Sequence, residues 1–236
     1  YGSLSAAIDR IPLGDDVVLR MAAVHEERAV SSQQFFERNA DRLNENQSLI
    51  AEYQQYSGCV RDIIQNEQIP FDATALEIGP GESELINLLA ETFAKTTALD
   101  NSEEMLRKAE GVLGTSFTDR VEFVLGESAD LVRQGRKFDF IALNMVLHHL
   151  PSPASWFRTA HELMASDGRL LVIDLKPHNQ DWAREICGDL WLGFEPVDID
   201  EWAIEAGLTK GQSVFLGLKN GFQVQVRLFH QQQTIQ

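Results

Sequence analysis

The residues whose types and spacing suit chemistry lie in two short segments. Leu76-Glu77-Ile78-Gly79-Pro80-Gly81-Glu82-Ser83 is an apolar run that ends in an acid and enters a glycine turn. Ala98-Leu99-Asp100 is a second apolar run ending in an acid, 19 residues after Gly81. Glycine lets backbone close on a ligand, and an acid about 20 residues further on is placed to take a ribose diol. Glycines punctuate many turns, so Gly79 and Gly81 alone carry little; Asp100 in register adds the weight. Asp100 can also cap the helix that begins near Ser102, and the two roles are compatible.

The acids decide which nucleotide fits. A dinucleotide loop wants a third glycine where this chain has Glu84, and Glu77 and Glu82 would set like charge against a pyrophosphate. A ligand with a ribose, no phosphate and a positive end fits better. S-adenosylmethionine, with its ribose diol, ammonium and sulfonium, has that description. A carboxylate at the tip of a buried strand is costly to desolvate unless a cation offsets it, directly or through water.

Two further turns belong to the same edge. Gly126-Glu127-Ser128-Ala129-Asp130 follows a third strand-like run, and Ser128 there is also a natural helix N-cap. Phe138–Leu143 reads as a buried strand that delivers Asn144, then the irregular Met145-Val146-Leu147-His148-His149-Leu150-Pro151. A histidine at such an edge suits proton transfer near neutral pH, so His149 and His148 are the candidate catalytic bases, His149 preferred; either could instead be a buried structural imidazole. Adjacent histidines are expected to diverge, no His-x-x-x-His is present, and no metal site is expected.

The elements that must position these groups follow from periodicity. Residues 1–69 read as a helical extension. Asp15 or Asp16 starts a helix, Val17, Val18, Met21, Val24 and Val30 recur along it, and Phe35, Phe36, Leu43, Leu49, Ile50, Tyr53 and Tyr56 continue an apolar face. Gly58 is expected to break or bend the run before a short helix through Cys59, Val60, Ile63 and Ile64. From about residue 70 strands alternate with helices: strands at 73–78, 96–99, 121–125, 138–143 and 170–175, helices at 82–94, 102–113, 128–133 and 154–164. That rhythm implies a parallel sheet covered on both faces. Residues 212–218 and 222–230 form a terminal hairpin through Asn220-Gly221. The expected domains are thus 1–69, a cap or dimerisation element, and 70–236. Trp182, Trp191 and Phe194 are equally readable as an apolar lid or as core, and Gln231–Gln236 as a frayed tail.

Composition narrows the function classes. The chain has 236 residues, 44% of them hydrophobic, enough for one α/β domain with additions. Its net charge of −16, from 20 basic and 36 acidic residues, opposes binding to nucleic acid or an anionic membrane. No apolar run approaches the roughly 20 residues of a membrane span. No leader is visible, though the chain begins at Tyr1. Cys59 and Cys187, with no Cys-x-x-Cys, read as reduced thiols in a cytoplasmic protein.

Taken in order, these motifs resemble the class I S-adenosylmethionine-dependent methyltransferases, over about residues 70–230. Their first motif is acid-x-Gly-x-Gly-x-Gly; here Glu77, Gly79 and Gly81 match and Ser83 replaces the last glycine. The resemblance implies a doubly wound α/β, Rossmann-like domain with a seven-stranded sheet, mostly parallel, closed by an antiparallel C-terminal hairpin. It implies that S-adenosylmethionine is held by Glu77, Gly79, Gly81, Asp100, Asn101, Met105, Glu127 or Ser128 at the adenine ring, and Asn144. It further implies methyl transfer to a small-molecule acceptor, since His148-His149-Leu150-Pro151 is similar to enzymes that methylate small molecules and quinone precursors. The N-terminal segment with His178, Trp182 and Gly188–Phe194 also resembles bacterial fusions in which an ArsR-type winged-helix domain precedes a methyltransferase. On that resemblance a DNA-binding half would lie upstream and this chain would not itself bind nucleic acid. The rival readings are a non-catalytic S-adenosylmethionine sensor domain of a transcriptional regulator and an NAD-dependent enzyme, the latter opposed by Glu84, Glu77 and the final hairpin. A homodimer through the N-terminal helices is compatible with either main reading.

Overall fold

A computed structural model describes residues 14–232, without the side chains at 40, 41, 43 and 44. The expected place of Leu43 on an apolar face, and the end of the expected tail, therefore lie outside the described residues.

The described residues open with helix α1 (Asp15–Ser48), whose first turn carries Asp15 and Asp16 at the positive end of the helix dipole; Gly14, not an acid, is the N-cap. The break comes at residues 49–52, followed by a single 3₁₀ turn (Tyr53–Gln55) in which Gln55 Oε1 accepts from Glu52 N–H at 2.8 Å. Gly58 does not break the chain. It sits in the first turn of α2 (Ser57–Asn66), where no neighbour crowds it and the rest of the helix supplies the packing. Val60, Ile63 and Ile64 on α2 are fully buried, and at about 1.5–3 kcal/mol for each such side chain their burial is what docks this helix.

The remainder alternates: β1 (Thr74–Ile78), α3 (Leu85–Thr92), β2 (Lys95–Asp100), α4 (Glu103–Val112), β3 (Val121–Leu125), α5 (Ser128–Arg133), β4 (Phe138–Asn144), α6 (Pro153–Leu163) and β5 (Met164–Leu175). Then come α7 (Trp182–Ile186), α8 (Pro196–Glu205), β6 (Leu208–Gly217) and β7 (Gln223–Gln231). The seven strands lie in the order β3-β2-β1-β4-β5-β7-β6. β1 to β5 are mutually parallel and β7 runs antiparallel to both its neighbours. This is the expected doubly wound sheet with its terminal hairpin. Each central strand is buried on both faces. Ala75, Phe140 and Ala142 face a core with α2 and Leu89 of α3; Leu76, Ile141 and Leu143 face another with Phe157 of α6 and Ile199 of α8.

Boundaries differ where local pattern and tertiary pairing conflict. β5 begins at Met164, which pairs with Phe138, rather than at residue 170; a register shift follows, with Asp167 at φ 62°. β6 begins at Leu208 rather than 212, because Leu208 and Thr209 already pair with Gln231 and His230. Helix α8 has no counterpart in the sequence reading. Pro196 starts it at the first helical position, where its missing N–H costs nothing. Trp191 and Phe194 pack with the α6–α8 core, and Trp182 packs edge-on to Phe222; they serve as core, not lid. No helix among the described residues is long and apolar enough to cross a membrane.

Candidate active site

The strand order reverses between β1 and β4, and in open α/β sheets the ligand crevice lies outside the carboxyl ends of the strands at that point. Register aligns the acids there. Ile78 pairs with both Leu99 and Leu143, so Glu77, Asp100 and Asn144 arrive at one sheet edge. A cavity of about 1200 Å³ opens on this edge; Gly79, Gly81, Asp100, Asn101, Met105, Glu127, Ser128, Asn144, His148 and His149 all line it.

The tips of β1 and β2 carry a glycine turn and two acids, one of them fully buried. Gly79 and Gly81 have φ of 61° and 52°, the left-handed region. A Cβ at Gly79 would also stand 2.7 Å from the Val146 side chain, so this turn tolerates only glycine there. Glu77 is fully buried and neither carboxylate oxygen has a hydrogen-bond partner among the described residues; burial holds its acid well above the ordinary carboxylate range. Burial likewise pushes Asp100 up to about 6, while the backbone N–H groups of Ser102 and Asn101 act to lower it. Asp100 Oδ1 accepts from Ser102 N–H at 2.9 Å, but the N-cap of α4 is Ser102 itself. Glu127, not Ser128, is the N-cap of α5, with Asp130 Oδ2 accepting from its N–H at 2.9 Å. Ser128 Oγ instead accepts from Trp156 Nε1 at 3.3 Å. Asn144 is committed on both sides: its amide donates to Ser83 Oγ at 2.8 Å and accepts from Tyr56 OH at 2.9 Å. Ser83, at the motif's last glycine position, thus ties the first turn to the tip of β4.

The two histidines have opposite environments. His148 Nδ1 lies 2.9 and 3.0 Å from the two oxygens of Asp174, and its Nε2 is 3.7 Å from Asp189 Oδ1. Burial works against charge on this ring, but Asp174 first and Asp189 second raise it to about 9. A carboxylate pair beside a ring favours its protonated form, a weaker proton acceptor near neutral pH, so the two candidate bases are not equivalent. His149 donates from Nδ1 to the Gly188 carbonyl at 3.2 Å, and its Nε2 is buried without a partner among the described residues. Burial, then the neighbouring His148, hold it well below the ordinary histidine range. The rings do not diverge as adjacent side chains in an extended chain would. They stand 4.0 Å apart, because residues 147–149 form a 3₁₀ turn.

Helix α1 roofs this half. Phe36 meets His149 edge-on at 4.8 Å, Phe35 and Phe36 pack on Met105, and Ser32 Oγ donates to the His149 carbonyl at 3.4 Å. The more N-terminal Val18, Met21, Val24 and Val30 remain 45–50% exposed, so the expected face packs on this chain through Phe35, Phe36, Ile50, Tyr53 and Tyr56. Asp189 and Ser32 carried no signal of a site role in the sequence, and Tyr56 only that of an apolar face. Asp174 did carry one, an acid ending an apolar strand as Glu77 and Asp100 do, but its partner is 26 residues away.

A family model described as a methyltransferase domain matches residues 22–209. The chain belongs to that family. The residues at this edge fit S-adenosylmethionine, the ligand expected from the sequence: a buried carboxylate unpartnered among the described residues, a glycine turn and an acid at the ribose spacing. Among curated relatives it is similar to ubiquinone biosynthesis O-methyltransferases. That of Yersinia enterocolitica is 26% identical over 129 residues, 53% of this chain and 52% of the relative. That of Xylella fastidiosa is 30% identical over 109 residues, 45% and 44% of the two chains. The match therefore spans about half the length of these relatives. Among solved structures, the fold is shared with the Burkholderia thailandensis 1,6-didemethyltoxoflavin-N1-methyltransferase, which holds its substrate and S-adenosylhomocysteine (19% identity, TM-score 0.69, 94% and 93% of the two chains). It is shared too with the [4+2]-cyclase SpnF (11%, TM-score 0.68, 86% and 95%).

Proposed function

We propose that this methyltransferase transfers methyl from S-adenosylmethionine to a hydroxyl oxygen of a small molecule, with His149 taking the hydroxyl proton. The observation that carries the reading is an imidazole nitrogen of His149, unpartnered among the described residues, on the wall of the same cavity as the Gly79–Gly81 turn and Asp100, with the unpartnered carboxylate of Glu77 buried in the strand that leads into that turn. When bound, the cofactor supplies an electrophilic methyl group. Glu77 offsets its positive end, Asp100 accepts from the ribose hydroxyls, the Gly79–Gly81 turn admits its backbone-proximal part, and Asn101, Met105, Glu127 and Ser128 bound the adenine side. Asn144, tied to Tyr56 and Ser83, keeps the β1 and β4 tips in register. Tyr56 and Phe36 cover the cavity and exclude water, which favours alignment of the reacting atoms.

The choice of oxygen draws on the O-methyltransferase names of the relatives and on His149, since a hydroxyl must lose its proton whereas a tertiary amine need not. A sensor would need only the cofactor half; the cavity's extension past His149 to Asp189 favours turnover. The test is a transfer assay with methyl-labelled S-adenosylmethionine against a panel of phenols, catechols and amines. Label appearing on phenolic oxygen in the parent protein and lost in His149→Ala is the expected result. Tight cofactor binding with no transfer to any member would favour the sensor, and transfer only to nitrogen would overturn the choice of atom.

A further inference from the structure

We infer that His148, His149 and Asp189 form a binding site for one first-row divalent cation of the zinc or cobalt class, on the acceptor side of the cavity. One donor atom from each of the three lies within 4.8 Å of the other two, and all three residues are buried. Both rings are oriented the way metal-bound histidines are. His148 is fixed through Nδ1 by the Asp174 carboxylate at 2.9 Å and His149 through Nδ1 by the Gly188 carbonyl at 3.2 Å. A carboxylate or backbone carbonyl behind the ring is the usual outer partner of a histidine ligand, and it leaves Nε2 to face the ion.

The atoms aimed at the site are those the protein leaves unsatisfied. His149 Nε2 and both oxygens of Asp189 are buried with no hydrogen-bond partner among the described residues. A buried polar atom left without a partner is costly, so three together point to a missing ligand. Spacing agrees. Donors at about 2.0–2.1 Å from a tetrahedral ion stand about 3.4 Å apart. The 3.7 Å between His148 Nε2 and Asp189 Oδ1 is too long for a hydrogen bond and close to that separation. Charge agrees as well. Asp174 and Asp189 bring two buried carboxylates to one histidine pair, with no Lys or Arg side chain within salt-bridge distance of either among the described residues. Two imidazoles and one carboxylate suit zinc, cobalt, iron or manganese better than magnesium or calcium, which prefer all-oxygen sites. Three protein ligands leave a coordination position open toward the cavity. A bound ion would occupy the lone pair proposed to take the acceptor proton, so ion and acceptor proton exclude one another there.

The site can be read without any methyl acceptor. Tag-free protein, dialysed against a chelator, is titrated with Co²⁺ and followed by its visible d–d absorption. The expected result is an intense band that saturates at one ion per chain and is bleached by Zn²⁺. Asp189→Asn and His149→Ala should each shift the midpoint at least about tenfold, and Asp174→Asn, which alters only the outer partner, about 10–100-fold. No band in the parent protein overturns the site. A band unchanged in both Asp189→Asn and His149→Ala places the ion elsewhere and overturns it equally. Neither outcome bears on whether His149 accepts a proton in the ion-free protein, which the methyl-transfer assay tests separately.

Discussion

Replacing Glu77 with leucine should stabilise the ligand-free protein while removing its cofactor affinity. The side chain is completely buried at the tip of β1 and neither oxygen is paired among the described residues. Removing an unsatisfied buried polar group is worth about 1–3 kcal/mol. For a chain of this size about 2–4 °C of melting temperature accompanies each kcal/mol, so Glu77→Leu should melt about 2–12 °C higher. The pH dependence has a definite sign. Burial raises the folded acid well above its unfolded value, so the folded state binds more protons than the unfolded one as pH rises through the ordinary glutamate range. Stability of the parent is then lost with rising pH, and the advantage of Glu77→Leu should be larger at pH 8 than at pH 5. The same substitution removes the group that offsets the cofactor's positive end. A charge-assisted bond is worth about 1.5–3 kcal/mol, so S-adenosylhomocysteine should bind about 10–150-fold more weakly. Differential scanning calorimetry at the two pH values and isothermal titration read the two effects independently. A variant that melts lower than the parent would mean that Glu77 is satisfied in the fold and has a structural role. One that binds the cofactor as the parent does would remove Glu77 from the site.

Three further outcomes follow from the site. Asp100→Asn should weaken S-adenosylhomocysteine by about 10–150-fold at pH 8, the equivalent of one charge-assisted bond; because the parent carboxyl titrates at about 6, the gap between parent and variant should narrow as calorimetric titrations move from pH 8 to pH 5. Gly81→Val should fold yet lose cofactor binding, since φ of 52° strains any side chain by about 1–2 kcal/mol and the new atoms enter the cavity near Met105; binding retained within twofold would mean that the turn does not touch the ligand. His149→Ala should lower the methyl-transfer rate by about 10²–10⁴ with cofactor affinity nearly unchanged; transfer at the parent rate on a true acceptor would leave catalysis to alignment alone.

Much of the cofactor half was readable from the chain because its signals are local. An apolar run of five or six residues ending in an acid is a buried parallel strand, and a glycine pair after it is a turn in the left-handed region. These held for Glu77, Gly79, Gly81, Asp100 and Asn144, since a parallel sheet brings the carboxyl ends of neighbouring strands to one edge whatever fills the loops. The terminal hairpin was equally local, pinned by Asn220-Gly221. Element limits were less readable. Met164 looked helical and Leu208 looked like loop until their partners, Phe138 and Gln231, drew them into the sheet.

The acceptor half was decided by tertiary structure. The two histidines are adjacent and chemically identical in sequence, yet Asp174, 26 residues away, pairs with one, while the other meets only the Gly188 carbonyl, 39 residues from it, and burial and the neighbouring His148 work against charge on its ring. Ser32 reaches the His149 carbonyl across 117 residues because α1 folds back over the sheet edge. No periodicity encodes such contacts. Hydrophobic spacing specifies which face of a helix is buried, but which helix covers which strand end depends on the order of the strands, and only the packed sheet sets that order. The sequence therefore determined the fold class and the nucleotide-type edge, and tertiary packing decided which imidazole stands beside a carboxylate and which beside a backbone carbonyl.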